Sequence, residues 1–168
     1  GKERHVDVIP FLELYGHLHD LLRIEKYASL GIGQYGHELD PRNPAVQALL
    51  KDWLHQYAEL FTSPFIHIGF DETWETHRLS VESDTSIHPK KLYIDQLNFV
   101  THTLEGYGKK VMVWTDISSE YPDILSQFPK KAIPVIWEYS SDTAVMNDWI
   151  RPVVKEKFPF FIQSGVEG

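Results

Sequence analysis

Five short apolar runs punctuate the chain: VDVIPFL (6–12), PFIHIGF (64–70), KVMVWT (110–115), IPVIW (133–137) and FPFFIQ (158–163). Apolarity within each is near-continuous instead of alternating, the pattern of short strands buried on both faces, which is that of a parallel sheet. Between the first two runs, NPAVQALLKDWLHQYAELF sets Val46, Leu49, Leu50, Trp53, Leu54, Tyr57, Leu60 and Phe61 at three- and four-residue spacings. Asn43 suits the N-cap and Pro44 the first helical position, so an amphipathic helix is expected there. Between the second and third runs, PKKLYIDQLNFVTHTLEGYG puts Leu92, Leu97, Val100 and Leu104 on one stripe and closes on Gly106 and Gly108, residues suited to a left-handed C-cap. Shorter helical stretches are expected in YPDILSQFP and in TAVMNDWIRPVVKEK, the latter limited or kinked by Pro152. Strand followed by helix, repeated, is the signature of βα units.

No internal repeat, low-complexity tract or linker divides the chain, so residues 1–168 read as a single domain or a piece of one. The opening GKERHVDVIP, with no Met and a strand-like run a few residues in, reads as cut from something longer. At 42% hydrophobic and 13% aromatic, the chain can bury a sizeable core. Its net charge of −8 lacks the basic stripe of a nucleic-acid binder, and no apolar run approaches the roughly 20 residues of a membrane-spanning helix. Neither nucleic acid nor a membrane is therefore an expected partner. The absence of cysteine excludes disulfides and thiolate metal sites and leaves the compartment open.

Chemistry-bearing residues follow the apolar runs. Glu13, His17 and His19 come after the first, Asp71, Glu72, Glu75 and His77 after the second, Trp114 and Asp116 at the third, and Trp137 and Glu138 at the fourth. In parallel α/β sheets and barrels the C-terminal ends of the strands are where ligands bind. Tryptophan faces cover the apolar faces of pyranose rings and carboxylates bond hydroxyls, so acids among tryptophans point to a sugar site. An adjacent Asp-Glu pair, partly buried, is expected to repel and to raise the pKa of at least one member, providing an acid near neutral pH. The plain alternative is a solvated turn; placement just after Gly69, at a buried strand end, favours chemistry.

FIHIGFDETWE (65–75) resembles the signature of the family 20 glycoside hydrolases, in which a His-x-Gly-x strand runs into a catalytic Asp-Glu pair. VIPFLELYGH resembles the preceding strand of that family, and VMVWTD and IPVIW the next two, each bringing a tryptophan to the site. The resemblance covers nearly the whole chain. It implies an α/β fold, a partial (β/α)8 TIM barrel holding approximately the third through seventh strands, and a retaining β-N-acetylhexosaminidase that needs no cofactor or metal. In that family the substrate's own 2-acetamido carbonyl attacks the anomeric carbon and forms an oxazolinium ion, an exception to the two-carboxylate rule. Carried over by position, Glu72 would be the general acid and then the base, and Asp71 would orient the acetamido group. Trp114, Trp137 and Asp116 would bind substrate, an N-acetylhexosamine-containing glycan, and Glu13, His17 and His67 would form the supporting network.

Three positions depart from the pattern: Phe11 stands for Glu, Tyr15 for Pro and Phe70 for the second Gly before the pair, which predicts an altered pocket edge. The Arg of the family's first strand, the Asp of its second and its later Tyr and Trp have no match. An open partial barrel leaves edges unpaired, so self-association and little hydrolysis by these residues alone are expected. Two other readings fit the residue types. A metal-dependent barrel hydrolase would use His17, His19, His67, Asp71, Glu72, Glu75 and His77, although no HExxH spacing occurs. A non-catalytic carbohydrate-binding or scaffold role is the other. Trp53 and Trp149 are expected to pack in helices, Trp74 to lie in a loop, and His55 and His102 at the surface.

Overall fold

The computed structural model describes residues 2–33, 36–140 and 142–164. Four parallel strands, β1 (Phe65–His67), β2 (Lys110–Trp114), β3 (Ile133–Glu138) and β4 (Phe161–Ser164), lie side by side in chain order. A fifth strand position is occupied by residues 10–12. Leu12 N–H donates to the His67 carbonyl and His67 N–H to the Pro10 carbonyl, both at 2.9 Å, around a parallel bridge between Phe11 and His67. Each step between strands is a helical crossover, as parallel pairing demands.

Helix α3 (Pro44–Leu60) precedes β1, after the short helices α1 (His19–Leu22) and α2 (Glu25–Ala28). Helices α4 (Trp74–Glu82) and α5 (Pro89–Gly106) join β1 to β2, α6 (Ile117–Glu120) follows β2, and α7 (Thr143–Lys155) joins β3 to β4. The expected helix signals operate. The Asn43 side chain accepts from Ala45 N–H, with Pro44 next. At the end of α5, Gly108 takes φ +71°, its N–H reaches the Glu105 carbonyl and Lys109 N–H that of Leu104, the pair of bonds that closes a Schellman motif.

The two faces of the sheet differ. Ile66, Ile68, Val111, Val113 and Ile136 join the main core with Val46, Leu50 and Leu54 of α3 and Leu97, Val100 and Leu104 of α5. The alternate positions, Phe65, Met112, Trp114, Ile133, Val135 and Trp137, form a second, smaller cluster on the opposite face. Because strand side chains alternate, the face bearing Trp114 and Trp137 is fixed by the same register that buries Val113 and Ile136. No helix among the described residues is long and apolar enough to cross a membrane.

Several expectations are corrected. The run 6–12 is not a strand buried on both faces: Val6, Val8 and Ile9 are 58%, 57% and 40% exposed, since only residues 10–12 pair with β1. The last strand starts at Phe161, later than the run predicted, and its Phe161 and Ile162 are exposed while Phe158 enters the core. Leu60 is exposed. Trp74 opens α4 instead of lying in a loop. Tyr15 and Phe70 do not edge a pocket; both are buried, their rings 5.5 Å apart and each packed on Tyr93. Of the three departures only Phe11 faces the site.

Candidate active site

Residues 68–72 leave β1 through an unusual backbone. Gly69, Phe70 and Glu72 take φ of +69°, +76° and +52°. Left-handed geometry disfavours side chains by about 1–2 kcal/mol per residue, so the surroundings must hold Phe70 and Glu72 in place. Phe70 is held by its aromatic neighbours and by Tyr93, whose hydroxyl donates to its carbonyl at 3.3 Å. Glu72 N–H donates to Asp116 Oδ2 at 2.9 Å, tying the acid to the loop after β2. Gly16 packs its Cα face against the Asp71 carbonyl, where a Cβ would come within 2.8 Å.

The pair is thereby presented side by side. His17 Nε2 sits 3.2 Å from Asp71 Oδ2 and 3.4 Å from Glu72 Oε2, bridging the two acids from the segment after residues 10–12. The side chain of Asp71 is 17% exposed and that of Glu72 32%, so the pair is half-sheltered yet open to a ligand. Phe11, His17, Asp71, Glu72, Trp114, Trp137, Tyr139 and Gln163 line a concavity of about 300 Å³. Trp137 stands beside Gln163 in the β3–β4 register, which brings β4 to the site.

Behind the pair lies a buried acidic layer. Burial, and then the neighbouring charge of Asp71, push the Glu13 carboxyl up to about 8. Burial also raises Asp116 to about 6, against the lowering effect of the Glu72 N–H bond. Glu13, behind the pair, is thus an acid that its burial keeps protonated near neutral pH. The Glu13 carboxyl occupies the space over Gly69, where an added Cβ would lie 1.9 Å from Oε2. That contact accounts for a glycine at 69 beyond its positive φ.

His67 Nδ1 accepts from Gly69 N–H at 3.1 Å, so the ring proton resides on Nε2. Burial lowers its pKa to about 4 and keeps the ring neutral. It packs on Trp114 and Phe11, with ring centroids 4.3 Å and 4.9 Å away. Glu13 Oε2, His67 Nε2, Asp71 Oδ1, Asp116 Oδ1 and Trp137 Nε1 are buried without a hydrogen-bond partner among the described residues. They form a buried polar cluster behind the acid pair, in which Glu13 lies beside Asp71 and Asp116 beside Trp137.

All the predicted site residues, Glu13, His17, His67, Asp71, Glu72, Trp114, Asp116 and Trp137, thus converge here. Glu75 and His77 do not: on α4, Glu75 pairs with Arg78, and His77 Nδ1 lies 2.7 Å from both Glu120 Oε1 and the Tyr121 hydroxyl. His19 stacks on His37, with ring centroids 4.6 Å apart. Trp149 was expected only to pack, but it also stands 6.2 Å from Trp137 and helps line a smaller cavity of about 130 Å³ reaching Glu72 and Asp116. Tyr139, Gln163 and His37 carried no signal in the sequence; only the strand register and loop closure bring them in. Among the described residues no three His, Cys, Asp or Glu side chains are grouped to hold a metal ion.

Side-by-side acids thus stand at a strand end, flanked by tryptophans, on a parallel α/β architecture. The family model for the glycosyl hydrolase family 20 catalytic domain matches residues 1–153, and the chain belongs to that family. It is 24% identical over 148 residues to hexosaminidase D of Bos taurus, covering 82% of this chain and 43% of that protein. To hexosaminidase D of Homo sapiens it is 26% identical over 152 residues, covering 83% of this chain and 31% of that protein. The chain thus spans less than half the length of these relatives. Among solved structures, Flavobacterium johnsoniae chitobiase superimposes with a TM-score of 0.70 at 18% identity, over 98% of this chain and 26% of that one. The Vibrio harveyi exo-β-N-acetylglucosaminidase, in complex with N-acetylglucosamine, gives 0.68 at 21% identity, over 98% and 26%. These likenesses establish the shared fold.

Proposed function

We propose that this chain is the central part of the catalytic barrel of a retaining β-N-acetylhexosaminidase, removing terminal N-acetyl-β-hexosamine from a glycan by substrate assistance. Residues 1–168 form one domain segment in this reading, and their five strand positions correspond to the third through seventh strands of an eight-stranded barrel. Other segments complete the barrel and the pocket. Unpaired edges favour self-association until they are covered.

The observation that carries the reading is the Asp71–Glu72 pair, bridged by His17 and facing a concavity walled by Trp114 and Trp137. Glu72 protonates the leaving glycosidic oxygen while the 2-acetamido carbonyl oxygen attacks C1, breaking the C1–O bond and forming the oxazolinium ion. Asp71 accepts the acetamido N–H as positive charge develops on that group; its side chain, beside Glu72 and His17, lines the concavity. The Glu72 carboxylate then takes a proton from water, whose oxygen attacks C1 and reopens the ring. Two inversions give retention. Trp114 and Trp137 wall the acetamido group, Asp116 fixes Glu72 through its backbone N–H, and Glu13 and His67 shape the floor.

The test is Glu72→Gln in the protein carrying the complete barrel. Hydrolysis of an aryl N-acetyl-β-glucosaminide should fall by about 100- to 10,000-fold while binding of N-acetylglucosamine persists. Binding without turnover in the unsubstituted protein would instead identify a carbohydrate-binding role. Loss of turnover on chelation, with recovery on adding a divalent ion, would favour the metal-dependent alternative.

A further inference from the structure

We propose that Glu38 is a positioning residue for Glu72, acting by capping α4 from outside the helix; the inference rests on the hydrolase reading above. Glu38 is fully buried, an unusual place for a carboxylate, and it touches neither the concavity nor the acid pair's side chains. Its oxygens are instead engaged by the first turn of α4. Glu75 N–H donates to Oε1 at 2.5 Å, Thr76 N–H to Oε2 at 2.9 Å, and the Thr76 hydroxyl also donates to Oε2. The Tyr15 hydroxyl lies 3.2 Å from Thr76 Oγ1 and closes the group from the other side.

Helix α4 needs this partner because it has no cap of its own. Thr73 occupies the N-cap position and its side chain makes no capping bond. Four N–H groups at any helix start require acceptors, and a carboxylate there also meets the positive end of the helix dipole. Glu38 supplies both from a segment that is itself anchored. Ile32 N–H donates to the Glu38 carbonyl and Leu39 N–H to that of Tyr15, each at 2.9 Å.

The connection to Glu72 is short. Glu72 immediately precedes the N-cap, and its carbonyl accepts Trp74 N–H at 3.0 Å from the first residue of α4. The neighbour of Glu38, His37, places Nε2 3.4 Å from the same carbonyl. Glu72 is therefore gripped at its N–H by Asp116 and at its carbonyl side by the α4 start that Glu38 fixes. Its φ of +52° is disfavoured for a side-chain-bearing residue, so a slack α4 start would let the acid relax away from the position it shares with Asp71 over His17.

The experiment compares Glu38→Gln, Glu38→Ala and Thr76→Val in the protein carrying the complete barrel, by kinetics and by amide hydrogen exchange. Displacing the general acid should lower kcat by about 10- to 100-fold for alkyl or 4-methylumbelliferyl N-acetyl-β-hexosaminides, with KM changed less than about 3-fold. A 2,4-dinitrophenyl glycoside, whose leaving group departs without protonation, should lose less than about 3-fold. Exchange should quicken at residues 72–76 and stay unchanged in α3 and α5. Equal losses on both leaving groups, or exchange quickened throughout the chain, would reduce Glu38 to a general stabilising role and overturn the proposal. Should the unsubstituted protein hydrolyse neither substrate, the hydrolase reading fails. The exchange pattern then still decides whether Glu38 holds the Glu72 segment.

Discussion

Gly69→Ala is the substitution whose cost the structure sets most narrowly. Two effects act on the added methyl group. The first is backbone conformation: at φ +69° an alanine is disfavoured by about 1–2 kcal/mol relative to glycine. The second is space, since the new Cβ would fall 1.9 Å from Glu13 Oε2 and 2.5 Å from its Cδ, forcing a buried carboxyl out of place. Overpacking of that kind adds about 1–3 kcal/mol, for a total near 2–5 kcal/mol. Gly108 separates the two effects, because it has φ +71° and nothing within 4 Å of its Cβ position. Gly108→Ala should therefore cost only about 1–2 kcal/mol. With a urea slope on the order of 2 kcal/mol/M, the midpoint should fall by about 1–2.5 M for Gly69→Ala and about 0.5–1 M for Gly108→Ala. In a Glu13→Ala background the steric part disappears, leaving Gly69→Ala close to the Gly108→Ala value, a coupling of about 1–3 kcal/mol. If Gly69→Ala costs the same with and without the Glu13 side chain, the packing of that carboxyl over Gly69 is wrong.

Two further outcomes concern the acidic layer. Glu13 has a folded pKa near 8 against an ordinary value of 4.5, so its contribution to stability is fully present below pH 4.5 and is lost as pH rises to about 8. Glu13→Gln, which cannot ionise, should gain on the unsubstituted protein across that window and run parallel to it at higher pH; parallel urea midpoints throughout would contradict the assignment. Asp116→Ala should lower kcat on an aryl N-acetyl-β-hexosaminide by about 10- to 100-fold through loss of the hold on Glu72 N–H, whereas Asp116→Asn, which keeps a carbonyl acceptor, should lose less. Equal losses in the two variants would place the importance of Asp116 in its charge instead.

The parts of this fold that could be read from the chain are those whose causes are local. Helix α3 carries its own cap in Asn43 and its own apolar stripe, and α5 ends where Gly108 permits a left-handed turn. Helix α4 escaped because its cap comes from Glu38, more than thirty residues away, and because only Thr76 of its residues is buried. Apolar run 6–12 reads as a core strand, yet Val6 and Val8 are exposed because only its end, residues 10–12, pairs with β1. At the site, strand ends and residue types picked out Asp71, Glu72, Trp114 and Trp137. The rise of the Glu13 pKa depends on burial that no spacing encodes. Phe70 in a left-handed conformation could not be foreseen either: its place is secured by Tyr15 and Tyr93, contacts made only once the chain is folded.

The central claim is that the substrate supplies its own nucleophile while Asp71 and Glu72 divide the work of orienting it and moving the proton. It is tested most directly by giving the protein with its complete barrel two aryl β-glycosides that differ only at C2, one bearing an acetamido group and one a hydroxyl. Turnover confined to the acetamido substrate, by a factor of at least about 1,000, is predicted, since the hydroxyl compound lacks the tethered attacking oxygen. Equal rates on the two substrates would contradict it.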